Sequence, residues 1–274
     1  MKPRPFDYVR PDTVEEALDI LAQHGEDARI LAGGQTLLAM LNLRVVEAAT
    51  LIDITRIGEL DTIREVDGKI EVGAAVTQGC LLAWPALPQK LPLLRAALPF
   101  VGHFQTRNKG TVCGSIAHAD PASELPLALA LLGGEVVLRS HKGTRVLVAG
   151  EFQQGMLMTA RGPDELITAV RFPLHDAGVA FREVARRHGD FAIIAVAALA
   201  ENGSDICLGV AGVADRPAVR RIKVGDGSVP RDAIERLAWE LKGYDDIHAS
   251  ARMRRDLLRG LAPVVVEEAR RCAA

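Results

Sequence analysis

Residues 107–124, RNKGTVCGSIAHADPASE, are too rich in Gly, Ser, Thr and Asn for a core strand, yet they run directly into LPLALALLGGEVVL, which belongs in an interior. A small-residue segment pressed against a core leaves its backbone open to close approach. An earlier glycine pair, Gly33-Gly34, follows a short apolar run and precedes a second one. Backbone N–H groups in such turns, helped by Thr and Ser hydroxyls, suit phosphate oxygens. Two such segments in one chain imply a nucleotide-type cofactor held between two Gly-rich loops.

The length of 274 residues allows a sizeable core and suggests two domains. A net charge of −2 argues against nucleic acid as the main partner, which would favour a clearly basic face. No apolar run approaches the roughly 20 residues that cross a bilayer. The opening MKPRPFDYVRPDT has no apolar stretch behind its basic residues, so it is not read as a secretory signal. Cys80, Cys113, Cys207 and Cys272 are scattered and form no CxxC pair, which fits a reducing cytoplasm and excludes an Fe–S cluster or zinc ribbon built by this chain alone.

Along the chain, Thr13 and Glu16 form a capping-box signature for a helix over residues 14–22. Residues 28–32 read as a strand, Gly33-Gly34-Gln35-Thr36 as a turn, and residues 37–43 as a short buried helix. That order suits phosphate binding, and it equally suits a plain strand-to-helix turn, since glycine pairs are common turn makers. It is not a P-loop, because no Gly-Lys-Ser/Thr follows, and the chain holds no GxGxxG. Residues 50–54 form a second strand, and residues 61–66 and 69–74 pair around Asp67-Gly68 as a hairpin. Thr77 caps a short helix, residues 91–101 form another, and residues 107–124 are a loop ahead of a helix over residues 122–132. Strands follow at 135–139, 144–148 and 166–172. Beyond residue 175 the pattern changes to long antiparallel segments at 181–187, 192–199 and 206–213, of which residues 192–200 also read as a buried helix. Two helices, 231–241 and 248–269, end the chain.

The chemistry-bearing residues also have bland readings. His118 and Asp120 suit a base and its orienter or, more simply, braces for the loop. Glu124 complements a helix N-terminus or accepts bonds from a sugar hydroxyl. Arg186-Arg187-His188 reads as a solvated turn, Cys113 as a small buried residue, and Asp245-Asp246 as caps for the helix that follows. No nucleophile elbow, metal spacing or Ser/His/Asp arrangement is present, so a cofactor rather than a side-chain constellation would carry the chemistry.

ILAGGQTLLAMLNLR and RNKGTVCGSIAHADPASELPLALALLGGEVVL resemble the two FAD-binding loops of the medium, flavin-carrying subunit of molybdenum hydroxylases of the carbon monoxide dehydrogenase, xanthine dehydrogenase and aldehyde oxidase type. The likeness extends to FDYVRPDTVEEALDIL, ARRHGDFAIIAVAA and DDIHASARMRRDLL, and so spans essentially the whole chain. It implies an α+β fold: a two-lobed FAD-binding part of the vanillyl-alcohol-oxidase type over residues 1–175, divided near residue 55, then a C-terminal domain over residues 176–274 with an antiparallel sheet and helices. It implies non-covalent FAD here, a large partner subunit carrying molybdopterin, and a small partner subunit with [2Fe–2S] clusters. Electrons would pass from molybdenum through the clusters to FAD and on to an external acceptor. A cytoplasmic dimer of heterotrimers, with no membrane span, is the implied assembly.

Carried over by position, Leu31, Ala32, Gly33, Gly34, Gln35, Thr36, Leu37 and Leu38 form the first FAD loop, with the Gly33 to Thr36 amides on the pyrophosphate. Thr111, Val112, Cys113, Gly114 and Ser115 form the second, through the Thr111 hydroxyl and backbone amides. His118 and Glu124 match contacts to the ribityl or nucleotide portion, and Leu166 and Ile167 a strand end beside the nucleotide. Val101 and Gly102 match one face of the isoalloxazine ring and Phe191 the other, while Arg182 matches a position often held by Lys beside the ring. Cys113 replaces a glycine usual in the second loop, and its Cβ is expected to restrict φ and narrow the approach to phosphate. Glu124 stands where some relatives have Asp. A free-standing FAD-dependent oxidoreductase would need its own acid or covalent flavin ligand near the ring; a scaffold that has lost flavin would carry Cys113 as the lesion.

Overall fold

The computed structural model describes residues 2–201, 205–223 and 229–273. Three larger sheets and a two-stranded ribbon, Gln153–Gly155 with Met158–Thr159, organise them. The first is parallel, with Thr50–Asp53 between Asp7–Val9 and Ala28–Leu31. Its crossovers are the helices Val14–His24 and Leu37–Leu43. Thr13 caps the first of these, its Oγ1 accepting from the Glu16 amide at 3.2 Å. The returning bond of the capping box reaches one residue further back, from the Asp12 amide to Glu16 Oε2 at 2.8 Å.

The second sheet is antiparallel, in the order Ile63–Val66, Lys69–Gly73, Leu166–Pro173, Glu135–Ser140, Gly143–Val148. Asp67 and Gly68 both take positive φ, 50° and 72°, as a two-residue hairpin turn requires. The helix expected over 91–101 is shorter: Pro92–Ala97 is helical and Leu98–Phe100 tightens into a 3-10 turn. Pro99 there has no N–H to continue the ladder.

The third sheet is antiparallel, in the order Gly178–Val184, Ile194–Glu201, Asp205–Ala211, Ala218–Lys223. Ile194–Glu201 resolves the helix-or-strand ambiguity as strand. Ala195, Ala197 and Leu199 face the large core beneath the helix Glu124–Leu131. Ile194, Val196, Ala198 and Ala200 face a second core under the helices Arg231–Leu241 and Ala251–Ala273. A strand buried on both faces reads as a continuous apolar run, which removes the period that would have marked it. Ala218–Lys223 escapes the sequence pattern because it is an edge strand with Arg220 and Arg221 exposed.

Asp245 and Asp246 are caps, as the sequence suggests. Asp246 Oδ1 accepts from the His248 and Ala249 amides at 2.8 and 2.9 Å, and Asp245 Oδ1 from Ala251 at 2.6 Å. Among the described residues no helix is long and apolar enough to cross a membrane, and no His/Cys/Asp/Glu group is disposed to hold a metal.

Candidate functional site

A cavity of about 470 Å³ lies where the carboxyl end of the parallel sheet meets the second sheet and the turn at Gly189–Phe191. Ligands commonly sit at the carboxyl ends of parallel strands. The strand Ala28–Leu31 delivers the first wall of the cavity. Gly34 has φ of 67°, and Leu31 and Leu38 pack against it, bracing the turn instead of lining the cavity. A side chain at Gly33 would place its Cβ 2.3 Å from the Lys109 carbonyl oxygen and 2.6 Å from Gly110 Cα. Only glycine lets these two segments lie backbone to backbone. Among the described residues, the Gly33, Gly34, Gln35 and Thr36 amides donate to no protein acceptor. Ala32, Gly33, Gly34, Gln35, Thr36 and Leu37 all line the cavity.

The second segment departs from the loop expected of it. Val112–His118 is a short helix capped by Thr111, whose Oγ1 accepts from the Gly114 amide at 3.0 Å. The Val112 amide donates to the Val76 carbonyl at 3.1 Å and the Ser115 amide to the Thr111 carbonyl at 3.2 Å. Most amides here are therefore already used. What the segment offers the cavity is the Thr111 hydroxyl proton and the Ser115 hydroxyl. Val112 is fully buried and lies off the cavity. Cys113 adopts a helical conformation that any residue accepts, so its Cβ puts no strain on φ, and with Gly114 it lines the cavity. Its thiol points to the Val72 carbonyl at 3.5 Å, and burial pushes its pKa far above the usual thiol range.

Val101, Gly102 and Phe191 line the same cavity, as do Leu166 and Ile167. His118 also lines it, and burial lowers its pKa, keeping the ring neutral near pH 7. Asp120 does not orient it: Asp120 Oδ1 accepts from the Ala122 amide at 2.8 Å and closes the turn ahead of the next helix. Arg182 lies elsewhere. Alternation along Gly178–Val184 turns it toward the terminal helix, where Nε donates to Glu268 Oε2 at 3.0 Å and Nη2 pairs with Oε1. The same alternation turns Glu183 inward against Glu124. Burial raises both carboxyls, Glu124 to about 7 with the charge of Asp120 adding to it, and Glu183 to about 8 with the charge of Glu124 adding to it, and Glu183 Oε2 is buried without a partner.

Three cavity-lining residues carry no sequence signal. Gln78, only 5% exposed, donates from Nε2 toward the Thr111 carbonyl at 3.4 Å and leaves its buried Oε1 unpaired. Arg29 and Arg161 stand at the cavity wall near Leu166. Gln78 is separated from the second segment by several short helices, and Arg161 sits in an ordinary polar turn, so only the fold brings them together.

Unused amides, an orphaned buried acceptor, two arginines and a backbone cradle that a Cβ would fill define a binding protein for an extended, phosphate-bearing nucleotide. Its diphosphate acceptors match the free amides, and its sugar hydroxyls match Gln78 Oε1, so the residues fit FAD. The chain belongs to the family described as FAD binding domain in molybdopterin dehydrogenase, whose pattern matches residues 4–175. The 6-hydroxypseudooxynicotine dehydrogenase complex subunit alpha of Paenarthrobacter nicotinovorans is 43% identical over 195 residues, 70% of this chain and 66% of that one. The nicotine 6-hydroxylase medium subunit of the same organism is 34% identical over 273 residues, 96% of each chain. Among solved structures, carbon monoxide dehydrogenase from Hydrogenophaga pseudoflava superposes with a TM-score of 0.92 at 29% identity, over the full length of both chains.

Proposed function

We infer that the chain is the FAD-carrying electron-transfer subunit of a molybdenum hydroxylase. The observation that carries this is the run of unpartnered amides at Gly33, Gly34, Gln35 and Thr36, laid against Lys109 and Gly110 just ahead of the Thr111 cap, at a cavity with no metal-holding group among the described residues. FAD, when bound, supplies the capacity to take up and release electrons. This chain's residues bind and orient it. The first glycine turn would hold the diphosphate through its amides, with the Thr111 and Ser115 hydroxyls opposite. Gln78, His118 and Glu124 would meet the sugar hydroxyls, while Val101, Gly102 and Phe191 would flank the ring. Leu166 and Ile167 would sit beside the nucleotide.

The division into an FAD-binding part over residues 1–175 and a C-terminal domain belongs to the same reading. It is supported by the family match ending at residue 175 and by the change of sheet between Leu166–Pro173 and Gly178–Val184. The partners are a large molybdopterin subunit and a small [2Fe–2S] subunit, assembled as a cytoplasmic dimer of heterotrimers; a medium subunit matched over 96% of this chain and a medium chain matched over 79% of it support a multi-subunit assembly. The test is anaerobic reduction of the native complex. Substrate should bleach the flavin absorption only while the partner chains are present. A flavin in the isolated chain that substrate reduces unaided would establish a free-standing oxidoreductase instead.

A further inference from the structure

Glu124 and Glu183 come from distant parts of the chain, the first turn of the helix Glu124–Leu131 and the strand Gly178–Val184. Glu124 is 4% exposed at the cavity wall, and Glu183 stands behind it with Oε2 buried and unpartnered. The two carboxyls are in hydrogen-bond contact. Ionised carboxylates only accept, so that contact requires a proton between them. The surroundings offer no compensating cation among the described residues. Asp120, in the turn ahead of the helix, also acts on Glu124, and it repels. His118, on the helix Val112–His118, is kept neutral by burial. Arg182 and Glu268 pair on the opposite face of the strand, and Arg95 and Glu151, on neighbouring helices, are exposed. Across the sheet Glu183 faces Ala195, and the next strand brings Gly209 against Leu127. A buried acid pair that balances no cation does nothing for the fold that two apolar residues would not do better.

Its place along the cavity points to a task. Phe181 and Glu183 share one face of their strand, about 7 Å apart. Phe181 packs on Phe100 with ring centroids 5.4 Å apart, directly before Val101 and Gly102. One residue beyond Glu183, the Val184 carbonyl accepts from the Ile193 amide at 2.8 Å, two residues past Phe191. Glu183 is therefore bracketed by the two walls that flank the ring in the flavoprotein reading. Resting on that reading, we propose that Glu124 and Glu183 are a proton store for the flavin: sharing one proton in the oxidised protein, the pair takes up a second when two electrons arrive on the ring. The electrons end on the ring, and the proton, drawn from solvent, forms an O–H bond on the remaining carboxylate. Negative charge added beside a buried carboxylate favours its neutral form. When the electrons leave for the acceptor, that O–H bond breaks and the proton returns to solvent.

The experiment is a spectroscopic redox titration of the flavin-loaded full chain between about pH 7 and 8, the interval of the two carboxyls. Each proton taken up with two electrons moves the midpoint potential by about 30 mV per pH unit. Wild type should show about one proton more than Glu183→Gln, a slope steeper by about 30 mV per pH unit, because the Gln amide donates to Glu124 and holds it ionised in both states. Reduced-minus-oxidised infrared spectra should gain a protonated-carboxyl band in wild type and lack it in the variant. Glu183→Gln should keep FAD affinity within about twofold, which a general loss of structure would not allow. Equal slopes in wild type and variant overturn the assignment alone. So does a wild-type infrared spectrum without the band, which decides the matter even if the variant fails to fold. Wild-type chain that takes up no flavin overturns the flavoprotein reading itself, and the proton store with it.

Discussion

Two arginine environments in this molecule, one buried and one half-buried, have been solved in opposite ways. Arg254, 1% exposed on the terminal helix, is closed on every side. It donates to the Ile193, Gly212 and Tyr244 carbonyls, pairs with Asp246 at 2.6 Å and lies 4.3 Å over the Tyr244 ring. Arg161, at the cavity, has carbonyls on one nitrogen and nothing on the others. Buried polar groups are normally satisfied because leaving one unpaired costs about 1–3 kcal/mol. The closed site is therefore architecture. The open one, with Gln78 Oε1 and the Gly33 to Thr36 amides, is satisfied only when something enters.

The comparison breaks most readily at Arg254. Arg254→Met should cost about 3–5 kcal/mol in denaturant unfolding, since it strands Asp246 and the strand-end carbonyls, and it should affect flavin binding only through that instability. A loss below about 1 kcal/mol would deny it the clamp role.

Gln78→Met sharpens the contrast from the other side. It keeps the volume and removes the orphaned acceptor, so flavin-free protein should gain about 1 kcal/mol while flavin affinity falls about 10-fold. A variant less stable and equally good at binding would show that Gln78 serves the fold.

Glu183→Gln tests the inward carboxyl pair. Glu124 and Glu183 have folded pKa values raised to about 7 and about 8 from the ordinary 4.5. The folded state thus keeps protons that the unfolded chain has released, and this stabilisation is fully present below the unfolded pKa and lost as pH rises through the folded values. Stability should fall between about pH 4.5 and 8, and Glu183→Gln should flatten that decline by about 1 kcal/mol. A parallel pH profile for wild type and variant would refute the coupling.

Arg182→Met should do least. Its pairing with Glu268 is half exposed, so the stability change should stay within about 0.5 kcal/mol and flavin affinity should not move. A shifted flavin spectrum would return Arg182 to the ring.

What the sequence made legible follows from range. The glycine turns, the caps at Thr13, Thr77 and Asp246 and the hairpin at Asp67-Gly68 are local rules of the chain, and each appears in the structure. The helix Val112–His118 was hidden because Gly, Ser and Cys carry little helical propensity, and tertiary packing of Val112 and Ile116 overrides it. Alternation from buried Phe181 turns Glu183 inward and Arg182 away, a local pattern that the positional match for Arg182 leaves out of account. Arg29, Gln78 and Arg161 meet only through the fold, and nothing local to any of them announces the others.

The most direct test is to identify and count the flavin released by acid from the protein as purified. The account predicts FAD, freely released, at about one per chain, the occupancy of a single site with tight binding. Protein that contains FMN, or that contains no flavin and takes up none when FAD is added, would contradict it.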